Sequence, residues 1–199
     1  MKNQRKIVLA ITGASGVIYG VEFAKYVLQN TDIELHCIVS NAGNDIIMHE
    51  LKHPNLESAL GDLAQSKMLK IHDDSNFFSK LASGSSSFDA MIISPCSANT
   101  LGKLAFGIAD NLISRVASVA LKERRKLCLV LRETPLSLPI LQSATTLCQA
   151  GAIIMPACPA FYSKEKTFED LIKFVVGKSL ATIGIQQNLM KEWNGQDTL

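Results

Sequence analysis

A glycine-rich turn follows the first apolar run of this chain and leads into a helical pattern. The turn lies within the segment AITGASGVIYG, which runs from Ala10 to Gly20. Gly13 and Gly16 have no side chain, so the backbone can approach a ligand closely there, and Ser15 adds a hydroxyl group. The N–H groups and the positive dipole end at the start of a helix favour an anion. The turn therefore predicts a phosphate site, with a ligand-free strand-to-helix turn as the alternative.

The spacing of the glycines argues against a dinucleotide site. Gly13, Gly16 and Gly20 fit neither the G-x-G-x-x-G pattern of Rossmann dehydrogenases nor the T-G-x-x-x-G-x-G pattern of short-chain dehydrogenases. The Y-x-x-x-K pattern of the short-chain enzymes does occur, from Tyr162 to Lys166. That pair would have to lie one turn apart on a helix, yet two prolines shortly before it disfavour a regular helix. We therefore do not expect NAD.

Polar side chains also follow a buried strand predicted over residues 88–94. The next residues, PCSANT, begin a helix and supply Ser97, Asn99 and Thr100. A helix N-cap needs only one such side chain. Because ligands of parallel sheets bind at the carboxyl ends of the strands, three polar side chains at this position indicate a polar ligand.

Two further strand ends carry residues that could bind a ligand or catalyse a reaction. Arg132 and Glu133 follow an apolar run in LRETPL, where their dehydration is costly unless a ligand pairs with them or they pair with each other. Tyr162 ends the segment MPACPAFY, a proline-rich loop after the last strand. Together with Ser15 and the residues 97–100, these side chains predict one site at the carboxyl edge of the sheet.

Short apolar runs alternate with longer helical patterns throughout the chain. The predicted strands are 6–12, 33–39, 88–94, 126–131 and 152–155; residues 66–87 are read as mixed and polar, and the last helix as 167–190. Strands that are apolar on both faces are typical of a parallel sheet covered by helices on each side. We therefore predict a three-layer α/β/α sandwich with a Rossmann- or flavodoxin-like, mostly parallel sheet, in a single domain over residues 1–199.

Composition argues against several classes of protein. The 199 residues are 47% hydrophobic and carry a net charge of +2. The one basic run, KERRK from Lys122 to Lys126, is read as a solvated helix end, so we expect no nucleic-acid partner. The apolar stretches are shorter than a membrane span requires.

The cysteines and histidines predict neither a disulfide framework nor a metal site. The five cysteines are odd in number and form no C-x-x-C pair, and the four histidines lack metal-ligand spacing. We expect reduced thiols in a cytoplasmic protein. Cys96, beside Ser97, is read as a small buried side chain because no base lies near it in the sequence to activate it.

Four segments, taken in order, resemble the UbiX-type flavin prenyltransferases: TGASGVIYG, PCSANTL, LKERRKLCLVLRETPL and MPACPAFY. They span nearly the whole chain, and RETPL together with PAFY is specific to that group. The related flavin-dependent cysteine decarboxylases share SANT, but they carry a histidine shortly before that strand and a PAMN motif. Residues 81–94 contain no histidine here, and the matching later position reads RETP. The resemblance therefore favours the prenyltransferases.

The resemblance implies a metal-independent transferase that binds reduced FMN as a substrate. The FMN-binding residues that it implies are Gly13, Ala14, Ser15, Ser40, Ser97, Ala98, Asn99, Thr100 and Arg132. Dimethylallyl phosphate would then bind against the flavin, with its phosphate held by Tyr162, Lys178, Arg115 and Lys122. The position of Lys178 is often arginine in the family; lysine keeps the charge and lacks the two-pronged geometry.

The implied reaction joins a dimethylallyl carbon to N5 of the flavin as phosphate leaves, and a second bond from C6 closes a ring. The cations named above would stabilise the departing charge, although Lys122 in a solvated face and Arg115 in a subunit contact are the alternatives. Loss of the C6 proton requires a base. Glu133 is predicted for that role, with Glu50 and the released phosphate as alternatives, and Ser15 would orient the N5 edge.

The resemblance also implies partners. Members assemble as dodecamers built from trimers, with sites at subunit interfaces. The C-terminal helix and tail, about residues 167–199, would lie at such an interface, where Trp193 matches a tryptophan of the family's tail. The product would serve a UbiD-type decarboxylase, in ubiquinone biosynthesis or in aromatic-acid breakdown. Two other functions stay open: an FMN-dependent decarboxylase acting directly on an aromatic or cysteine-like carboxylate, and a non-catalytic flavin carrier.

Overall fold

Within residues 4–161 and 166–190, which the computed structural model of the chain describes, six parallel strands form one sheet. The strands are β1 (Lys6–Ile11), β2 (Glu34–Val39), β3 (Leu69–Asp73), β4 (Ala90–Cys96), β5 (Lys126–Leu131) and β6 (Ile153–Pro156). Their order across the sheet is β3-β2-β1-β4-β5-β6, and every neighbouring pair is parallel. The order reverses between β1 and β4, which is the position where doubly wound sheets open a ligand crevice.

Helices cover both faces of this sheet. They are α1 (Ile18–Asn30), α2 (Asn41–Leu51), α3 (Leu56–Leu60), α4 (Ala98–Ala105), α5 (Leu112–Lys122), α6 (Leu138–Gln149) and α7 (Phe168–Thr182). Helices α1, α2, α3 and α7 contribute to the core on one face, and α4, α5 and α6 to the core on the other. The predicted three-layer α/β/α architecture with a parallel sheet is thus confirmed. In the described part of the chain, every helix is too short or too polar to cross a membrane.

The central strands are apolar on both faces because both faces are covered. In β1, Ile7, Leu9 and Ile11 belong to the core beneath α1 and α7, whereas Val8 and Ala10 belong to the opposite core. All five side chains are fully buried. Since burial of each large apolar side chain stabilises a fold by about 1.5–3 kcal/mol, both faces of β1 contribute to holding the sheet between the two helical layers.

Two predictions about the elements are wrong. The region after residue 65 contains β3, an edge strand in which Leu69 is the one buried residue, so the apolar pattern of a strand is missing. The last helix ends at Thr182 instead of residue 190. Gly184 adopts a φ of +78°, a left-handed conformation that favours glycine and terminates a helix.

Candidate functional site

A cleft of about 470 Å³ opens at the carboxyl edge of the sheet, beside the point where the strand order reverses. Its lining comprises Thr12, Gly13, Ser40, Ala42, Ser97, Ala98, Asn99, Thr100, Lys103, Asn111, Ser114 and Glu133. The predicted residues Gly13, Ser40, Glu133 and 97–100 are among them, so the structure brings residues from four strand ends together. Five lining residues were not predicted from the sequence: Thr12, Ala42, Lys103, Asn111 and Ser114. Three residues predicted to bind FMN lie outside this lining: Ala14, Ser15 and Arg132.

The cleft floor is tied together by Thr12. Its hydroxyl donates to the carbonyl oxygen of Pro95 at 2.8 Å and accepts the N–H of Ser97 at 2.9 Å. The side chain is 2% exposed, so these bonds are protected from water. Thr12 therefore joins the carboxyl ends of β1 and β4. The sequence signal for this role is a threonine at the end of a buried strand, directly before the glycine turn.

Gly13 lies where two chain segments meet too closely for a side chain. A Cβ atom at this position would lie 2.5 Å from Cβ of Ala42, which is shorter than real Cβ contacts. Glycine at this position keeps the first strand end and the start of α2 in contact while the backbone faces the cleft.

Three helices begin at this cleft, each with a side-chain cap. The capping bonds run from the N–H of Gly43 to Ser40 Oγ at 3.0 Å, of Thr100 to Ser97 Oγ at 3.2 Å and of Ser114 to Asn111 Oδ1 at 2.9 Å. The positive dipole ends of α2, α4 and α5 therefore converge, which favours a negatively charged group in the cleft.

The start of α5 is fixed by Asp74, which lies outside the cleft lining. Its carboxylate accepts the side-chain N–H of Asn111 at 2.8 Å and the backbone N–H of Ile113 at 3.0 Å. Burial raises the pKa of Asp74, although these two hydrogen bonds act in the opposite direction. The cap thus positions Asn111, and with it Ser114, at the cleft.

Arg132 and Glu133 do not pair with each other in the described part of the chain. The backbone N–H of Arg132 donates to the carbonyl of Cys96 at 3.1 Å, and Glu133 Oε1 accepts the N–H of Thr134 at 3.1 Å. Nε of Arg132 is buried and has no hydrogen-bond partner. A buried, unpaired guanidinium nitrogen is costly, so Arg132 is suited to donate to a ligand at this edge of the sheet.

The glycine turn carries an unexpected partner, Glu50, from the last turn of α2. The N–H of Gly16 donates to Oε2 of Glu50 at 2.9 Å and to Oε1 at 3.3 Å. Gly16 has a φ of +93°, which favours glycine. Ser15 is exposed beside it and Ala14 is buried. The N–H of Gly16, which was predicted to be available for a phosphate, is thus already bonded to the carboxylate of Glu50.

Two of the predicted cations lie at a second position, along α5. Nε of Arg115 donates to the carbonyl of Ala82 at 3.0 Å. Nζ of Lys122 lies against Gly84, only 2.9 Å from where a Cβ atom of that residue would be. The same Nζ pairs with Oε1 of Glu123 at 3.3 Å. Arg115 and Lys122 therefore flank one loop, and neither lines the cleft of its own chain.

Lys178 lies on the other side of the sheet from this pair. It is an exposed residue of α7. Helix α7 packs on one face of the sheet and α5 on the opposite face. Tyr162 and Trp193 lie outside the described residues. The roles assigned to these side chains stay predictions.

Cys96 is a small core residue, as the sequence analysis expected. Its side chain is fully buried, and burial raises the pKa of its thiol to about 12. The thiolate is the nucleophilic form, so Cys96 is inert at neutral pH. Within the described residues, no group of three or more His, Cys, Asp and Glu side chains is placed to hold a metal ion.

The residues present fit FMN. Three helix N-termini suit a phosphate, the exposed backbone of Gly13 forms part of the cleft lining, and Nε of Arg132 lacks a partner that a flavin oxygen or nitrogen would supply. The polar lining has hydroxyl and amide groups for a ribityl chain.

Comparison with known proteins places the chain among flavoproteins. The model of the Flavoprotein family matches residues 1–180. The chain is 41% identical over 198 residues to the flavin prenyltransferase UbiX of Methanothermobacter thermautotrophicus, covering 99% of this chain and 100% of that protein. Its structure matches AnUbiX (PadA1) in complex with FMN and dimethylallyl pyrophosphate with a TM-score of 0.89 at 37% identity, covering 97% and 99% of the two chains.

Two other solved structures extend this comparison. A dodecameric FMN-dependent UbiX-like decarboxylase from Escherichia coli O157:H7 matches with a TM-score of 0.87 at 34% identity, covering 96% of this chain and 100% of that one. The FMN-dependent cysteine decarboxylase TvaF matches with a TM-score of 0.63 at 16% identity, covering 91% and 99%, and shares the fold alone.

Proposed function

Because this chain belongs to the UbiX flavin prenyltransferase family, we propose that it transfers a dimethylallyl group from dimethylallyl phosphate to reduced FMN, forming bonds at N5 and C6 of the flavin. The observation that carries the proposal is the cleft at the switch point of the sheet, which is lined by Gly13, Ser40 and residues 97–100. The whole chain also matches the structure of a relative in complex with FMN and dimethylallyl pyrophosphate. The enzyme is a transferase for which FMN is a substrate.

FMN is held by residues from four strand ends. Gly13, Ala14 and Ser15 form the turn on one side, and Ser40 with residues 97–100 supplies the helix N-termini and hydroxyl groups. Arg132 donates its unpaired Nε to the flavin. The exposed hydroxyl of Ser15 is free to turn toward the N5 edge. These contacts fix the face of the flavin that meets the prenyl donor.

The departing phosphate is stabilised by cations that one chain does not bring together. Arg115 and Lys122 flank the loop at residues 82–84, whereas Lys178 lies on the opposite side of the sheet. Tyr162 is assigned to the same phosphate. We propose that neighbouring copies combine these groups at subunit interfaces, because each donor contributes only where it can reach the developing charge.

Exposed aromatic side chains support such an assembly. Phe78 is 99% exposed, Phe106 82% and Phe168 75%, although large apolar side chains prefer burial. The relative from Escherichia coli is dodecameric. We propose a homo-oligomer, with residues 167–199 at an interface and a dodecamer as the expected size.

Glu133 is assigned as the base that removes the C6 proton. It is the one carboxylate among the described residues that line the cleft. Glu50, its rival, is engaged with the N–H of Gly16 and is therefore less free to approach the flavin. As C6 bonds to the tertiary carbon of the dimethylallyl group, the C6 proton passes to a carboxylate oxygen of Glu133 and the neighbouring alkene carbon takes up a proton, so the ring closes with no net loss of a proton.

The test of the function is mass spectrometry of the flavin. The protein is incubated anaerobically with reduced FMN and dimethylallyl phosphate, and the released flavin should be heavier by one five-carbon unit. An unchanged flavin mass would contradict the proposal. Release of carbon dioxide from an aromatic or cysteine-like carboxylate would instead support direct decarboxylation, the alternative function.

Glu133→Gln tests the base. The variant should bind FMN but close the ring about 10²- to 10⁴-fold more slowly. The singly bonded flavin and the ring-closed product are isomers, so chromatography and absorption spectra must separate them. Glu57→Gln, on α3 and outside the cleft lining, is the control. Full ring closure by Glu133→Gln would refute the assignment.

The product is proposed to pass to a UbiD-type decarboxylase. The proposed reaction ends with the prenylated flavin, so a second enzyme must use that product as its cofactor. A cytoplasmic location is proposed as well. Cys37, Cys96, Cys128, Cys148 and Cys158 are all free thiols, which is typical of a reducing compartment.

A further inference from the structure

Lys103 is the one cation among the described residues that line the cleft. It lies in the second turn of α4, the helix whose N-terminus carries Ser97 and Thr100. Glu133, the one anion of the lining, follows β5, the strand beside β4. Among the lining residues and the helix starts, positive charge therefore comes from Lys103 and from the N-termini of α2, α4 and α5; the guanidinium of Arg132 is not part of this lining.

The ammonium group of Lys103 is held by a carboxylate, and it is not buried. Nζ donates to Oδ2 of Asp110 at 2.6 Å, and the two side chains are 31% and 48% exposed. The other oxygen of Asp110 accepts the hydroxyl of Ser114 at 3.4 Å, and that hydroxyl also donates to Asn111. Asp110 thus holds the lysine beside the N-terminus of α5, inside reach of a ligand.

We propose that Lys103 binds the 5′-phosphate of the flavin and thereby makes the enzyme select FMN over riboflavin. This inference rests on the proposed function. A phosphate monoester carries close to two negative charges at neutral pH, and it can accept from an ammonium group while Asp110 keeps a share of the same three donors. Because the carboxylate of Glu133 repels a phosphate, the phosphate is placed at Lys103 and the uncharged isoalloxazine on the Glu133 side of the cleft.

A purely structural role is the competing explanation. In that case the Lys103–Asp110 pair would simply join α4 to the segment before α5. The pair is partly exposed, and pairs of that kind contribute little to stability. The two explanations differ in what happens when Asp110 loses its charge and Lys103 keeps its own.

The experiment measures the dissociation constants of oxidised FMN and of riboflavin by flavin fluorescence. Lys103→Met should weaken FMN binding about ten- to a hundredfold, since a charge-assisted hydrogen bond is lost, and should leave riboflavin binding nearly unchanged. Lys103→Arg should retain most of the preference for FMN. Lys25→Met, which removes a cation paired with Glu22 on α1, is the matched control and should change neither constant. A thermal melt checks that each variant is folded.

Asp110→Asn separates the two roles. A phosphate-binding Lys103 becomes freer in this variant, so FMN should bind as tightly as before or more tightly. Equal weakening of both flavins in Lys103→Met and Asp110→Asn would overturn the inference in favour of the structural role. An unchanged preference for FMN in Lys103→Met would overturn it too. A wild-type protein that binds neither flavin would reject the proposed function together with this inference.

Discussion

The hydroxyl of Thr12 accepts the N–H of Ser97 at 2.9 Å across the switch point of the sheet. The same hydroxyl donates to the carbonyl of Pro95 at 2.8 Å. One buried side chain therefore sets the spacing between the glycine turn after β1 and the helix start after β4. The two sides of the cleft are held together by this bond as well as by pairing of the strands.

Thr12→Val should weaken both the fold and FMN binding. Valine keeps the shape of threonine and leaves the N–H of Ser97 without its partner, which costs about 1–3 kcal/mol. Urea denaturation and FMN titration measure the two effects. Thr12→Ser keeps the hydroxyl and should lose much less, and Thr146→Val, on the exposed face of α6, is the control for a threonine that bonds only within its helix. Equal behaviour of Thr12→Val and Thr146→Val would contradict the role given to Thr12.

Gly13→Ala should lower both the stability of the fold and the affinity for FMN much more than the same substitution at Gly102. The new methyl group would lie 2.5 Å from Cβ of Ala42, so α2 must move away from the cleft. Overpacking of this kind costs about 1–3 kcal/mol and should lower FMN affinity. Thermal unfolding and FMN titration report the two losses.

Gly102→Ala is the matched control for Gly13→Ala. A Cβ at Gly102 meets no atom within 4 Å, and alanine is favoured over glycine inside a helix by about 0.5–1 kcal/mol. The double variant Gly13→Ala with Ala42→Gly should recover FMN binding, because it removes the clashing methyl group. Failure of that rescue would show that Gly13 acts through something other than this contact.

Two histidines at the edge of the sheet predict a pH-dependent stability. Nδ1 of His36 lies 2.8 Å from Nε2 of His72, with Glu34 on the far nitrogen of His36 at 2.8 Å and Ser79 at 3.3 Å from His72. Burial lowers the pKa of both imidazoles below the ordinary 6.5. Proximity to His36 lowers the pKa of His72 further, while Glu34 opposes the shift of His36.

The sign of the pH effect follows from these lowered pKa values. The window of the effect lies between 6.5, the pKa of an unfolded histidine, and the lower pKa values of His36 and His72 in the folded chain. Within this window the unfolded chain binds more protons than the folded chain, so the free energy of unfolding falls as the pH decreases. The urea midpoint should therefore be lower at about pH 5 than at about pH 7.5. His72→Gln should flatten the dependence, and His49→Gln, an exposed residue of α2, should not. A flat profile in the wild-type protein would contradict the prediction.

Local patterns in the sequence determined the layers of the fold and much of the cleft. Apolar runs such as 126–131 stand out because a central parallel strand is buried on both faces, and the match to β5 is complete. Gly13 and residues 97–100 stand out because turns and helix starts need particular residue types next to a strand. The edge strand β3 has one buried residue, so its sequence lacks the apolar run by which the central strands are recognised.

The tertiary structure alone decided which of these residues meet. Lys103 and Asn111 reach the cleft because α4 and α5 begin at the same sheet edge, and Glu50 reaches Gly16 from the far end of α2. Arg115 and Lys178 carry the same charge but lie on opposite sides of the sheet. Residue types and their spacing are local properties, whereas strand order and helix packing depend on contacts between distant parts of the chain.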